Sequence, residues 1–174
     1  GNRDAQESRG LGDVYKRQII NNLKKDYCVI VMSEFPFTTE EGESKDSYIV
    51  PNIEDIRIWA SIIDRADHFL GCDSVGQHIA KAVDSTVTAV IGSTYPINIS
   101  YPNDPKFDII DLGEDRRTFS PIRLTMEDYQ DIQNDECMSM TEEDVSAVIK
   151  SCRDKLGKSV KKKVVQAETK GFGK

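Results

Sequence analysis

Four cysteines and two histidines are the only thiol and imidazole groups in 174 residues, and no two of the cysteines form a C-x-x-C pair. Cys28, Cys72, Cys137 and Cys152 are scattered, whereas structural zinc sites and disulfide frameworks both rest on close, repeated spacings, so neither is indicated. Reduced thiols in a cytoplasmic protein are the expectation. Also missing is any apolar run near the roughly 18 to 20 residues of a membrane-spanning helix, and a charged fraction of 30% suits a soluble chain. Basic charge is scarce where the chain has its bulk. Residues 19–157 carry 26 acidic against 13 basic side chains, which argues against general nucleic-acid binding, since phosphate neutralisation needs a basic surface.

A length of 174 residues with 38% hydrophobic content is enough for one domain with a real core, or for half of a two-domain enzyme. The chain opens on Gly1, and Ser8 to Gln18 resembles the translated library-adapter tract found at the ends of some open reading frames. Residues 1–18 are therefore set aside as a non-native or disordered leader expected to have little structure. Residues 19–157 are read as the folded domain. Residues 158–174 hold six lysines against Glu168 and are read as a basic, solvated, disordered tail, with peripheral contact to anionic lipid at a membrane face as the alternative.

Within 19–157 the elements alternate. Ile19 to Lys25 reads as the end of a helix, Tyr27 to Met32 as a buried parallel strand, and Tyr48 to Val50 as a short strand stopped by Pro51. Asn52 is placed to cap a helix with an apolar stripe of Ile53, Ile56, Ala60 and Ile63. A strand from His68 to Gly71, a helix with Val75, Ile79, Ala82 and Val83 on one face, the β-branched strand Thr86 to Ile91 and a last strand from Phe107 to Asp111 follow. The last helix has Thr141 as its cap, Asp144 three residues on, the stripe Val145, Val148, Ile149, Cys152 and Leu156, and Gly157 as its stop. Strands alternating with amphipathic helices imply a doubly wound parallel α/β sheet of Rossmann-like type.

Such sheets bind ligands beyond the carboxyl ends of their strands. Three polar turns fall there: Ser33-Glu34, Asp73-Ser74-Val75-Gly76 and Gly92-Ser93-Thr94. The second opens a helix, where unpaired N–H groups and the positive end of the dipole attract anions. Backbone N–H groups of Val75 and Gly76 with the hydroxyls of Ser74, Ser93 and Thr94 would make a phosphate pocket, with Glu34 placed to hold a ribose. An equally local reading is that Ser74 and Gln77 form a capping box and bind nothing. His78 flanks the apolar stripe, as a hydrogen-bonded histidine or a direct ligand.

The ordered set Ala66 to Ser74, His78-Ile79-Ala80, Val87 to Ile91 and Gly92-Ser93-Thr94-Tyr95-Pro96, followed by Glu136 to Val145, resembles the donor-binding half of heptosyltransferase-like enzymes, glycosyltransferase family nine. The Asp73 to His78 spacing and the Gly-x-Thr-x-Pro turn carry the match. Val75 stands where that family usually has glycine, and Asp84 and Thr86 replace its usual Gly and Pro. The resemblance implies the C-terminal half of a GT-B fold and inverting transfer of a heptose-like sugar from a nucleotide diphosphate sugar to a cell-surface glycan or lipid-linked acceptor. It also implies Asp73, Ser74 and Gly76 near the donor diphosphate, and Ser93 and Thr94 opposite. The general base and acceptor site would come from an N-terminal half outside these residues. No catalytic residue, metal or cofactor is implied here, because the helix terminus takes the place of a metal and Asp73 has no Asp-x-Asp partner. A non-catalytic nucleotide-binding or assembly module on the same fold is the alternative.

Overall fold

The computed structural model describes residues 13–32, 53–92, 94–117 and 139–157. Among them three strands form one sheet, all parallel, in the order β1 (Phe69–Cys72), β2 (Val87–Ile91), β3 (Phe107–Asp111). The register aligns Phe69, Val87 and Phe107 in one row, Leu70, Thr88 and Asp108 in the next, then Gly71, Ala89 and Ile109, then Cys72, Val90 and Ile110. Successive residues of a strand point to opposite faces, so alternate rows feed two separate cores. Every residue of β2 is buried, as its uninterrupted Val-Thr-Ala-Val-Ile run requires of a central parallel strand.

Helices α1 (Asp13–Leu23) and α5 (Glu142–Leu156) cover one face. Their core joins Ile19, Leu23, Val90, Leu112, Met140, Val145, Val148 and Cys152. Helices α2 (Ile56–Arg65) and α3 (Val75–Ala82) serve the other, where Ile63, Ala80, Val87, Ala89, Ile91 and Phe107 pack together. A short α4 (Pro96–Ile99) follows β2. Full burial of a Val or Ile side chain is worth about 1.5–3 kcal/mol, so the three large aliphatic β2 residues Val87, Val90 and Ile91, each 0% exposed, anchor both cores at once. The result is a parallel α/β sheet flanked by helices.

Helix α5 matches its expected form. Thr141 accepts from the Asp144 N–H at 3.2 Å, Asp144 accepts from the Thr141 N–H at 2.7 Å, and Gly157 ends the helix at a φ of 68°, a left-handed conformation that glycine adopts without a Cβ clash.

Several expectations change. The weak structure expected through Gln18 gives way to helix from Asp13, because Tyr15, Ile19 and Leu23 recur every fourth residue and pack on the α5 core. Arg153 locks the pair together, donating to Asp26 at 2.7 Å and to the Asn22 side chain at 3.0 Å. Tyr27 to Met32 is no ladder strand among the described residues: Ile30 alone sits in an isolated bridge, and it is exposed, as is Cys28. Its apolar side chains Tyr27, Val29 and Met32 lean on the two cores instead. The α2 cap is Asp55, accepting from the Arg57 N–H at 2.8 Å, so Asn52 is not the cap and Ile56 at the helix start is exposed. Tyr48 to Val50, Glu34, Ser93 and the Lys-rich tail lie outside the described residues.

Candidate functional site

The carboxyl ends of β1 and β2 are neighbours, since Cys72 pairs with Val90. The junction into α3 and the turn after β2 therefore share one edge of the sheet. Asp73, Ser74 and Val75 are exposed there, Gly76 is buried, and Thr94 is buried in the adjoining turn.

The buried face of α3 is the expected one only in part: Ile79 and Val83 pack against the core, but Val75 and Ala82 do not. Gly76, Gln77 and Ala80 are buried, while Val75 is 48% exposed and Ala82 faces outward. Phe69 explains the rotation. Its ring lies so close to α3 that a Cβ on Gly76 would come within 2.5 Å of Cζ, and one on Gly71 within 2.6 Å of Cε1. Both glycines form the slot that admits the ring, which fixes helix against strand and leaves Val75 at the rim. Gly76 thus serves helix-on-sheet packing.

Ser74 and Gln77 do not form a capping box. Ser74 occupies the N-cap with extended backbone, φ −154° and ψ 169°, yet its side chain makes no capping hydrogen bond. Gln77 turns inward instead and is fully buried. Its amide nitrogen donates to Asp73 at 3.3 Å and to the Ile99 carbonyl at 3.1 Å, and its oxygen accepts from the Ser100 hydroxyl at 2.7 Å. Gln77 thereby ties the α3 start to the end of α4, and Asp73 organises that tie rather than standing alone. Nothing in the local spelling separated this arrangement from a closed box.

The turn after β2 is held by a residue that sequence reasoning missed. Arg117 is buried, donates from Nε to the Gly92 carbonyl at 2.8 Å, pairs with Asp111 at the end of β3, and lays its guanidinium 4.6 Å from the centre of the Tyr95 ring. The backbones meet closely here, for a Cβ on Gly113 would fall 2.1 Å from the Gly92 oxygen. The only sequence signal was a glycine after each of two strands and an arginine six residues beyond Asp111.

His78 reaches toward the chain that follows α4. Its Nδ1 lies 2.9 Å from the Tyr101 hydroxyl, with the rings edge to face at 5.7 Å. Beside it, an open concavity of about 540 Å³ is lined by Lys81, Ile97, Ser100, Tyr101, Asn103 and Asp104 among others. The hydrogen bond from Lys81 to Asp104 raises the lysine pKa and lowers that of the carboxyl, which also accepts from the Lys106 N–H at 2.9 Å. This is a salt-bridged surface and not an extension of the Ser74 edge.

At the opposite, amino end of the sheet lies a polar chain, half-buried at His68 and Thr86 and fully buried at Thr88 and Ser151. His68 Nδ1 is 2.9 Å from the Thr86 hydroxyl and Nε2 2.9 Å from that of Thr88, which in turn is 2.7 Å from Ser151. Thr86 donates to the Asp67 carbonyl at 3.1 Å, so its oxygen must accept from His68 Nδ1–H, and Nε2 accepts from Thr88. Burial, then the nearby Lys155 charge, lowers the His68 pKa to about 4 against the opposing pull of Asp108. Burial pushes the Cys152 thiol up to about 11, which makes it an inert packing residue.

Among the described residues no cluster of three or more His, Cys, Asp or Glu side chains is placed to hold a metal, and no helix is long and apolar enough to cross a membrane. Comparison with protein-family models, curated proteins and solved structures returns no match.

Proposed function

We propose that this chain carries the nucleotide-sugar-binding domain of an inverting glycosyltransferase, a doubly wound GT-B half whose donor diphosphate sits on the amino end of α3. The reading is supported chiefly by Ser74, an N-cap serine at the carboxyl edge of a parallel sheet whose side chain makes no capping bond. The Gln77 N–H turns back to the Ser74 carbonyl at 3.3 Å, whereas the N–H groups of Val75 and Gly76 precede any intrahelical acceptor; the Gln77 side chain, which in a closed box would reach back to the Ser74 N–H, is committed elsewhere. An anion is the chemical complement of that arrangement. Thr94 on the neighbouring turn is the matching contact. When the sugar–phosphate bond breaks, negative charge grows on the departing diphosphate, and fixed N–H donors at that point stabilise it more than they stabilise the bound donor.

Calorimetric titration with ADP, UDP, GDP and CDP tests this reading, with Ser74→Asp as the diagnostic variant. An aspartate caps the helix itself and places a negative charge where the diphosphate belongs. The variant is expected to melt at the same or a higher temperature while losing at least tenfold in affinity for whichever nucleotide binds. A folded wild-type protein that binds none of the four refutes the donor reading and leaves the non-catalytic assembly module, which the exposed β-branched Val75 at the helix start favours.

A further inference from the structure

Tyr95 is 40% exposed although a buried arginine is spent on one side of it. Exposed tyrosines are ordinary, but this one is clamped. The Arg117 side chain has only 1% of its surface open to solvent, and its partners Asp111 and the Gly92 carbonyl belong to the ends of β3 and β2. A guanidinium held from two strands cannot follow the ring, so the ring is fixed against it, and cation–π contact of this kind strengthens when desolvated. One side of the aromatic is therefore backed by a buried charge, and Tyr95 itself directly follows Thr94 at the carboxyl edge of the sheet, the edge that also carries the α3 start.

The distances suit a ligand that reaches from one point to the other. Tyr95 immediately precedes the four-residue helix α4, which at 1.5 Å per residue spans about 6 Å. The far end of α4 is bonded to Gln77, and Gln77 to Asp73. The aromatic thus stands roughly one helical turn from the group that organises the α3 start, within the span of a nucleoside diphosphate.

We infer that Tyr95 is the platform on which the nucleobase of the bound nucleotide stacks, an assignment that rests on the diphosphate reading of the α3 terminus. Every base has a π face, so stacking supplies affinity without selecting strongly among bases. Base identity is then set elsewhere.

The experiment uses the full chain, the tightest-binding of the four nucleoside diphosphates, and inorganic pyrophosphate, on wild type, Tyr95→Ala and Tyr95→Phe. Tyr95→Ala is expected to weaken nucleotide binding on the order of tenfold to a hundredfold, the usual worth of one aromatic–base stack. Tyr95→Phe retains affinity, and neither variant alters pyrophosphate binding. In proton NMR the base resonances shift upfield on binding to wild type and Tyr95→Phe and lose that shift in Tyr95→Ala, a ring-current signature that a merely structural tyrosine would not produce. Unchanged nucleotide affinity in Tyr95→Ala, or equal weakening of nucleotide and pyrophosphate, overturns the stacking assignment while leaving the diphosphate site in place. Absence of any nucleotide binding to wild type overturns both.

Discussion

Acidification from about pH 7 to about pH 4 is expected to strip stability from this fold through His68. Its pKa falls from 6.5 to about 4 on folding, chiefly through burial and then through Lys155. A depressed histidine binds its proton more readily in the unfolded chain, so the native state is favoured in full above the unfolded value of 6.5 and loses that advantage as pH falls toward 4. A shift of that size at about 1.4 kcal/mol per unit gives about 3 kcal/mol, an upper bound because the ring keeps some solvent contact. That is a large part of the stability of a small domain. The proton chain makes the same point in geometry: Nε2 accepts from Thr88, and a proton there forces the Thr88 and Ser151 hydroxyls to reverse.

Urea unfolding of wild type and His68→Gln, followed by far-UV circular dichroism at several pH values, isolates the effect. Glutamine keeps one donor and one acceptor but does not titrate, and carboxylate titrations are common to both proteins. The wild-type curve is expected to fall more steeply between about pH 6.5 and about pH 4, with the difference approaching 3 kcal/mol. In NMR the His68 ring is expected to titrate near its lowered value, and assignment is simple in a chain with two histidines. Equal slopes for the two proteins, or a His68 midpoint at or above 6.5, would refute the argument.

Three further outcomes follow from the packing. Gly76→Ala is expected to cost about 1–3 kcal/mol despite the better helix propensity of alanine, because its Cβ would fall 2.5 Å from the Phe69 ring; combining it with Phe69→Leu should recover part of the loss in a double-mutant cycle. Asp84 holds a φ of 62° just past α3, where the Ser85 N–H bonds to the Ala80 carbonyl and the Asp84 N–H to that of Lys81, the two bonds of a Schellman motif. Asp84→Gly should therefore raise the melting temperature by the equivalent of about 1 kcal/mol, even though it removes the exposed pair with Lys106, which contributes little. Arg117→Met should destabilise by about 3–5 kcal/mol in denaturant titration, because it strands the buried Gly92 carbonyl and Asp111 together.

How far the fold was legible depended on whether the deciding contact was local. Thr141-x-x-Asp144 and Ser74-x-x-Gln77 look alike as helix starts. The first closes into a box because both partners lie on one exposed turn. The second stays open because Ile99 and Ser100, 22 and 23 residues further on, take the Gln77 amide. The Val-Thr-Ala-Val-Ile run of β2 was legible for the same reason α5 was, whereas Tyr27 to Met32 has the composition of a strand without a described ladder partner. Asp84, conspicuous as a replacement for glycine, acquires its meaning only from its left-handed backbone. Arg117 was out of reach: its partners Gly92, Tyr95 and Asp111 become neighbours only when β2 and β3 pair.

The two ends of the sheet divide the work of the molecule. At the amino end, hydroxyls and a neutral imidazole close a chain from Ser151 to the Asp67 carbonyl, joining β1, β2 and α5. At the carboxyl end, polar groups hold loops in position while Ser74 is left without a cap. His68 and Asp73 stand at opposite ends of β1, five residues apart, which at strand rise is roughly 16 Å. Sites that far apart without shared partners usually contribute independently. Substitutions at His68 and at Ser74 are therefore expected to act independently: the hydroxyl–imidazole chain at the amino end shares no partner with the Gln77 tie at the carboxyl end, beside which Ser74 makes no capping bond.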